Sequence, residues 1–403
     1  MKKSIQHKIL NGIALAIVFL MAEGCSQKTS EKTVSAPTQA TNVEVTQKVY
    51  SFKNLVIYNM NGAISSDIIS NFDKEFHIKT NYKTFSGNEE LQGKLIKGNS
   101  GFDLVSPGAT YAKTQIEKGL LLKLDKKRLS NYSNLDPIFL DKLKSVDPEN
   151  DYLIPLSWGY TTVGINYTKV KEILKDMPMP EEAWDLVLNP KYTNKLKECG
   201  ISFMDSGLEM FPIALHYSGK SAYSKDSADH EVALETLKKV RPDVTFFTDS
   251  VSDDLAGRRS CVVVGWSGDI NLAAQKMKDS GEKDEIKVLI PKLGAMLFID
   301  TFAISKEAKN ITETYTFLNY FLDPRVSAKI SNMTNNLSGN INAVSYLDEK
   351  IIKNTTILVP DDDLRSMVAP ESLDKETVDQ YTSLYKEFKE MEIRAIDVKK
   401  GKK

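Results

Sequence analysis

The chain is poor in the residues from which metal sites and hydrolytic centres are built. Four histidines, at positions 7, 77, 216 and 230, and three cysteines, at 25, 199 and 261, are scattered through 403 residues without ligand spacing, which leaves no zinc pattern. Neither sign of charge is in excess: 53 Lys and Arg against 54 Asp and Glu give a net charge of −1, so a nucleic-acid partner has no electrostatic footprint. Catalytic motifs are missing too. Ser218-Gly219-Lys220-Ser221 resembles the end of a phosphate loop, but Ala214 stands where the first glycine belongs and the segment follows a helix pattern. Gly265-Trp266-Ser267-Gly268 brings its second glycine one position too early for a nucleophile elbow. There is no zinc-protease pair and no calcium loop, and Asp361-Asp362-Asp363 reads as a solvated charge run on a loop. No internal repeat is visible. These absences point away from an enzyme and from a bound cofactor.

What is present suits a soluble globular protein with enough chain for two lobes: 41% hydrophobic and 27% charged residues. Lys2, Lys3 and Lys8 precede a mostly apolar stretch over 9–21, too short to span a bilayer comfortably. Ala22-Glu23-Gly24-Cys25 follows. Residues 1–24 are therefore expected to be a lipoprotein signal peptide, with cleavage before Cys25 and lipidation of its sulfur. Residues 25–50 are rich in Ser, Thr, Gln, Lys and Glu and read as a flexible tether. Beyond them no hydrophobic run is long enough to cross a membrane. If Cys25 carries lipid, Cys199 and Cys261 form an even pair in an oxidising compartment, and a disulfide is the expected outcome, with two buried free thiols as the alternative.

Further along, a strand over 55–58 is followed by a turn and by Ile64, Ile68, Phe72 and Phe76, four residues apart, on one helix face. A strand over 78–85, a helix over 89–97 and a strand over 102–105 continue a rhythm that predicts a mostly parallel sheet covered by helices. The extended stretch 151–166 looks like a segment crossing between lobes. A second αβ region follows: strands over 201–205, 244–247, 261–264 and 295–304, and helices over 207–217, 231–240 and 307–322. Repeated passage between the two regions implies a hinged, bilobed protein. Residues 51–160 with 301–345 are assigned to one lobe, and 161–300 with 346–403 to the other.

The stretch CVVVGWSGD, residues 261–269, is a strand that ends in a small-residue turn holding a tryptophan and an aspartate. Taken alone, it favours a plain reading: Trp266 plugging the core and Asp269 capping the next helix. The alternative is a cation held between the ring and the carboxylate. Several segments then tip the balance: Leu55-Val56-Ile57-Tyr58-Asn59, Phe102-Asp103-Leu104-Val105, Asn134-Leu135-Asp136-Pro137, and Ile154-Pro155 with Trp158-Gly159 and Gly164-Ile165-Asn166. With ECGISFMDSGLEMF (198–211), CVVVGWSGD and PKLGAMLFIDTFAISKEAKN (291–310), the chain resembles bacterial polyamine-binding proteins from about residue 52 to 345, its second lobe being most similar to putrescine-binding members.

The resemblance implies a type II periplasmic binding protein: two α/β lobes, a hinge and a cleft that captures a small linear amine. The expected partners are that amine and an ABC permease in the inner membrane, with the receptor monomeric and held at the cell envelope through Cys25. Glu209, Asp269 and Asp300 match the family's amine-binding acids, Trp266 and Phe298 its aromatic wall, and Cys199 and Cys261 its disulfide. Asn61, Thr110 and Tyr111 are further candidate contacts from the first lobe. Met60, Asn61, Gly62 and Ala63 stand where the family has Trp, Ser or Thr, an acid and Tyr, and Gly108 stands where it has Ser. A family tyrosine near 335–337 has no clear counterpart. These departures raise a second reading, another cationic amine bound by a receptor or sensor of the same fold. Each residue also has an ordinary role open to it: Glu209 capping or salt-bridging its helix, Asp269 as an N-cap, Trp158 as hinge packing.

Overall fold

The computed structural model describes residues 53–400, with side chains through 391. The expected signal peptide and tether, with Cys25, fall outside the described residues. Strand β1 (Lys53–Met60) alternates buried and exposed positions only at its start, then becomes wholly apolar at Ile57 and Tyr58. It feeds the helix Ser66–Phe76, which buries Ile68, Ile69 and Phe72 and stops at His77 in the left-handed conformation. Phe76 ends on the surface beside Tyr320 rather than in the core. Strand β2 (Ile78–Phe85), the helix Asn88–Lys97 and the short strand β3 (Leu104–Val105) complete a unit in which β2 and β3 flank β1 in parallel.

Strand β4 (Ile154–Asn166) is thirteen residues long and buried throughout. It is followed by β5 (Ile201–Met204), β6 (Phe246–Thr248), β7 (Val262–Trp266), β8 (Ile286–Leu289), β9 (Met296–Ile304) and β10 (Leu337–Ser338). The sheet runs β2-β1-β3-β9-β4-β7-β5-β6, with β8 and β10 both pairing β4. The expected mostly parallel sheet is thus only half right. The flanks are parallel, but β9 and β4 run antiparallel to each other and to the strands beside them. The rhythm of strands and helices along the chain reports the crossover units at the flanks. It carries no information on two long strands that pair across more than a hundred residues.

Apolar cores gather on either side of this centre. One surrounds Ile57, Phe72 and Leu104 and is closed by the helix Ile311–Phe321, whose Tyr315, Leu318 and Phe321 are buried as the spacing predicts. That helix begins later than expected. Glu307 instead holds a loop, accepting hydrogen bonds from the backbone N–H groups of Asn99 and Ser100, both at 2.7 Å. Another core surrounds Ile201, Phe211 and Val262 and is closed by the helices Gly207–Tyr217 and Ser227–Val240 and by Tyr381, Tyr385 and Phe388 of Lys375–Lys400. Trp158 is buried against Phe139, as its packing role requires. Asp361-Asp362-Asp363 does not lie on a loop. The three acids open the short helix Asp361–Ser366, where the helix dipole favours them. Cys199 and Cys261 are bridged, with Cα atoms 5.5 Å apart. Among the described residues no helix is long and apolar enough to cross a membrane.

Candidate functional site

Alternation along β4 places Ser157, Gly159 and Thr161 on one side of the sheet, and each meets a candidate residue. Ser157 is paired with Asp300 of β9, and its Oγ donates to Asp300 Oδ2 at 3.2 Å. Gly159 is paired with Phe298, two positions back on β9 and therefore on the same face as Asp300. A β-carbon at Gly159 would press into the Phe298 ring, so only glycine lets the ring lie across the strand. Thr161 is paired with Trp266 of β7, and its Oγ1 donates to Glu209 Oε2 at 2.7 Å. The Trp266 indole also donates to Glu209. One strand face thus lines up a carboxylate, a ring, and a second ring beside a second carboxylate.

Glu209 stands in the first turn of the helix Gly207–Tyr217, and Asp269 in the first turn of Ser267–Asp279. The expected N-cap role of Asp269 is not what the structure places there. The helix starts at Ser267 after Trp266, before Asp269 is reached, and no side chain caps it. Asp269, Glu209 and Asp300 are half-buried, and none closes an ion pair among the described residues. Burial pushes all three carboxyls above the ordinary range. Asp300 reaches about 6, with the Ser157 hydrogen bond opposing the rise. Thr161 and Trp266 oppose it at Glu209. At Asp269, Lys276 opposes it and Asp253 adds to it. Buried carboxylates without a cation are pushed toward protonation, and a bound cation relieves that penalty.

The first-lobe candidates divide. Asn61 is exposed and donates to Ser86 Oγ at 3.2 Å, joining the turn after β1 to the one after β2. Thr110 is half-buried in the first turn of the helix Ala109–Glu117. The structure brings neither into contact with the three acids. Tyr111, next in that helix, donates to Glu89, and its phenol is raised by burial, by Glu89 and by the charge of Glu209. Gly108, where the helix begins, forms a backbone bridge with Asp300. Another residue lies in the stretch 335–337, where a family tyrosine has no clear counterpart, and was not itself a candidate. The Asn336 carboxamide lies across two glycines, its Oδ1 at 2.8 Å from where a β-carbon of Gly268 would stand and 3.0 Å from that of Gly159. That oxygen is buried without a hydrogen-bond partner. Besides that missing tyrosine, its sequence signal was two glycines, at 159 and 268, each directly next to a candidate aromatic or acid in the chain or across the ladder. Among the described residues no group of three or more His, Cys, Asp or Glu could hold a metal.

Residues 67–358 match the family described as bacterial extracellular solute-binding protein. The chain is 39% identical over 312 residues to the putrescine-binding periplasmic protein PotF of Escherichia coli, covering 77% of this chain and 84% of that one. It is 37% identical over 321 residues to the putrescine-binding periplasmic protein SpuD of Pseudomonas aeruginosa, covering 79% and 87%. Among solved structures, the putative spermidine/putrescine ABC transporter protein of Listeria monocytogenes aligns with a TM-score of 0.70 at 29% identity, over 84% of this chain and 99% of that one. The spermidine/putrescine substrate-binding protein PotD of Streptococcus pneumoniae aligns with a TM-score of 0.71 at 24% identity, over 84% and 98%.

Proposed function

Because the chain belongs to the bacterial extracellular solute-binding protein family, we propose that it captures putrescine or a close polyamine relative outside the cytoplasm and presents it to the permease of an ABC importer. It is a binding protein, not an enzyme. The observation that carries the ligand is the β4 face, where Asp300, Phe298, Trp266 and Glu209 are set out in order, with Asp269 in the first turn of the helix that follows Trp266. Taking an ammonium group out of water costs several kcal/mol unless charge and hydrogen bonds replace its hydration. The three carboxylates supply both. A ring over the cation adds roughly 0.5–2 kcal/mol, and the methylenes gain about 25 cal/mol for each Å² buried against Phe298 and Trp266. The lobes are residues 51–160 with 301–345 and 161–300 with 346–403. The reading is supported by β4 and β9 lying at the centre of the sheet, with one apolar core around Ile57 and another around Ile201, while a third core joins Tyr58 and Phe85 to Val263 and Ile270 across that centre. Burial penalises the ionised acids and so favours an open, wet cleft, and the cation favours closure.

The second reading, a different cationic amine, is favoured by one observation. A β-carbon at Gly62 would meet nothing within 4 Å, so the place of the family's acid is open space. Calorimetry on the soluble chain separates the two. Putrescine or cadaverine binding at micromolar concentration or tighter supports the first. Failure of putrescine, cadaverine and spermidine alike overturns it, and a sole hit on another amine supports the second. The anchor is proposed on sequence grounds: cleavage before Cys25 with acyl chains on its sulfur, and a monomeric receptor tethered to the membrane. Metabolic labelling with a fatty acid should mark the wild type and not Cys25→Ser, and an unlabelled wild type sinks the proposal.

A further inference from the structure

We propose that Glu89 is a specificity-setting residue of this site: by accepting the Tyr111 hydroxyl it turns the phenol oxygen toward a second cationic group of the amine, and it restores a carboxylate to the lobe whose turn lacks one. The proposal rests on the polyamine reading and names the residue that selects for a dication over a monocation. Its geometry starts in the first turn of the helix Asn88–Lys97, which holds Glu89 and Glu90. Glu90 is committed elsewhere, accepting from Tyr58 at 2.5 Å and from Lys94 at 2.8 Å. Glu89 is exposed, forms no ion pair among the described residues, and accepts the Tyr111 hydroxyl.

Asn88 fixes this turn against the helix that carries Tyr111, its Oδ1 accepting from the Gly108 N–H at 2.8 Å. Gly108 in turn bridges Asp300. The Glu89–Tyr111 pair is therefore tied through one short stretch of backbone to an acid of the site, and the Glu209 charge acts on the same phenol. A phenol has one hydrogen to donate. With that hydrogen on Glu89, the oxygen only accepts, and a neighbouring carboxylate polarises it toward stronger acceptance. An ammonium N–H is the donor that suits it. Glu89 acts through Tyr111 and is a positioning residue as well as a charge.

The test compares putrescine with n-butylamine, which has the same carbon chain and a single ammonium. Calorimetry is run on the wild type, Glu89→Gln and Tyr111→Phe, with thermal melts of each ligand-free protein. Glu89→Gln and Tyr111→Phe should each weaken putrescine roughly tenfold, the size of one hydrogen bond to a charged group. Under the same substitutions n-butylamine should change less than about twofold, and the melting temperatures should hold. An equal loss for both ligands, or a lowered melting temperature accounting for the loss, assigns Glu89 a structural role and overturns the proposal. So does an unchanged ratio of the two affinities. A wild type that binds neither amine overturns the polyamine reading, and this proposal with it.

Discussion

Asp300→Asn is expected to weaken putrescine binding by about 150- to 4,000-fold while making the ligand-free protein more stable. The loss follows from geometry: removing one partner of a buried charge pair costs about 3–5 kcal/mol. The asparagine still accepts from Ser157 and fits the same place, so the fold is retained. The gain follows from protonation. Burial lifts the folded-state pKa of Asp300 to about 6, whereas an unfolded aspartate titrates near about 3.9. Between those values the folded chain binds more protons than the unfolded one, so stability falls as pH rises. The favourable contribution is complete below about pH 4 and lost above about pH 6, leaving a deficit on the order of 2–3 kcal/mol at neutral pH. Asparagine carries no such deficit. Denaturation of both proteins at pH 4 and pH 7 measures it, and a stability difference that fails to grow with pH overturns the assignment. The same proton sets a limit on binding: a cation needs Asp300 ionised, so wild-type affinity should fall as pH drops below about 6, by at most tenfold per unit.

Replacing Cys199 and Cys261 together by serine should remove on the order of 4 kcal/mol of stability. The bridge joins residues 62 apart in sequence, and the loop-entropy estimate for that length is about 4 kcal/mol at 25 °C. In a chain of this size that lowers the melting temperature by roughly 5 °C. The bridge ties Cys199, two positions before β5, to Cys261, which directly precedes β7 and whose N–H also bonds the carbonyl oxygens of Cys199 and Gly200 at 3.1 and 2.9 Å. Those backbone bonds hold β7 in place, so Trp266 at its far end should keep most of its affinity for ligand. Urea denaturation of the double variant and of reduced wild type should agree. A loss below about 1 kcal/mol would show that the unfolded chain is already restricted and that the entropy account fails here.

The acids and rings of the candidate site were picked out by the resemblance to polyamine-binding proteins; in the structure Trp266 stands where a valine strand ends, Glu209 and Asp269 in the opening turns of helices, and Asp300 in an apolar strand. The cysteine count alone led to the bridge that the structure contains. Glu89 was not visible. It looks like any acidic residue at a helix start, and its significance comes from a tyrosine 22 positions away. Asn336 was hidden for a similar reason, since the glycines that make room for it lie 177 and 68 residues back, by subtraction of 159 and 268 from 336.

What the sequence determined by itself is therefore what short-range periodicity encodes: which segments are helix or strand, which faces are apolar, and which residue types could meet a cation. The ordering of those residues along one face of β4 was decided only in the tertiary structure. It depends on β4 pairing with β9 and β7 in a register that sets Ser157 against Asp300, Gly159 against Phe298 and Thr161 against Trp266. A one-residue slip of either pairing would turn those side chains to the opposite side of the sheet. Nothing local to β4 chooses between the registers. Burial on both sides of that strand does, because only one alignment fills the cores above and below it while setting Asp300 against Ser157 and Glu209 against Thr161.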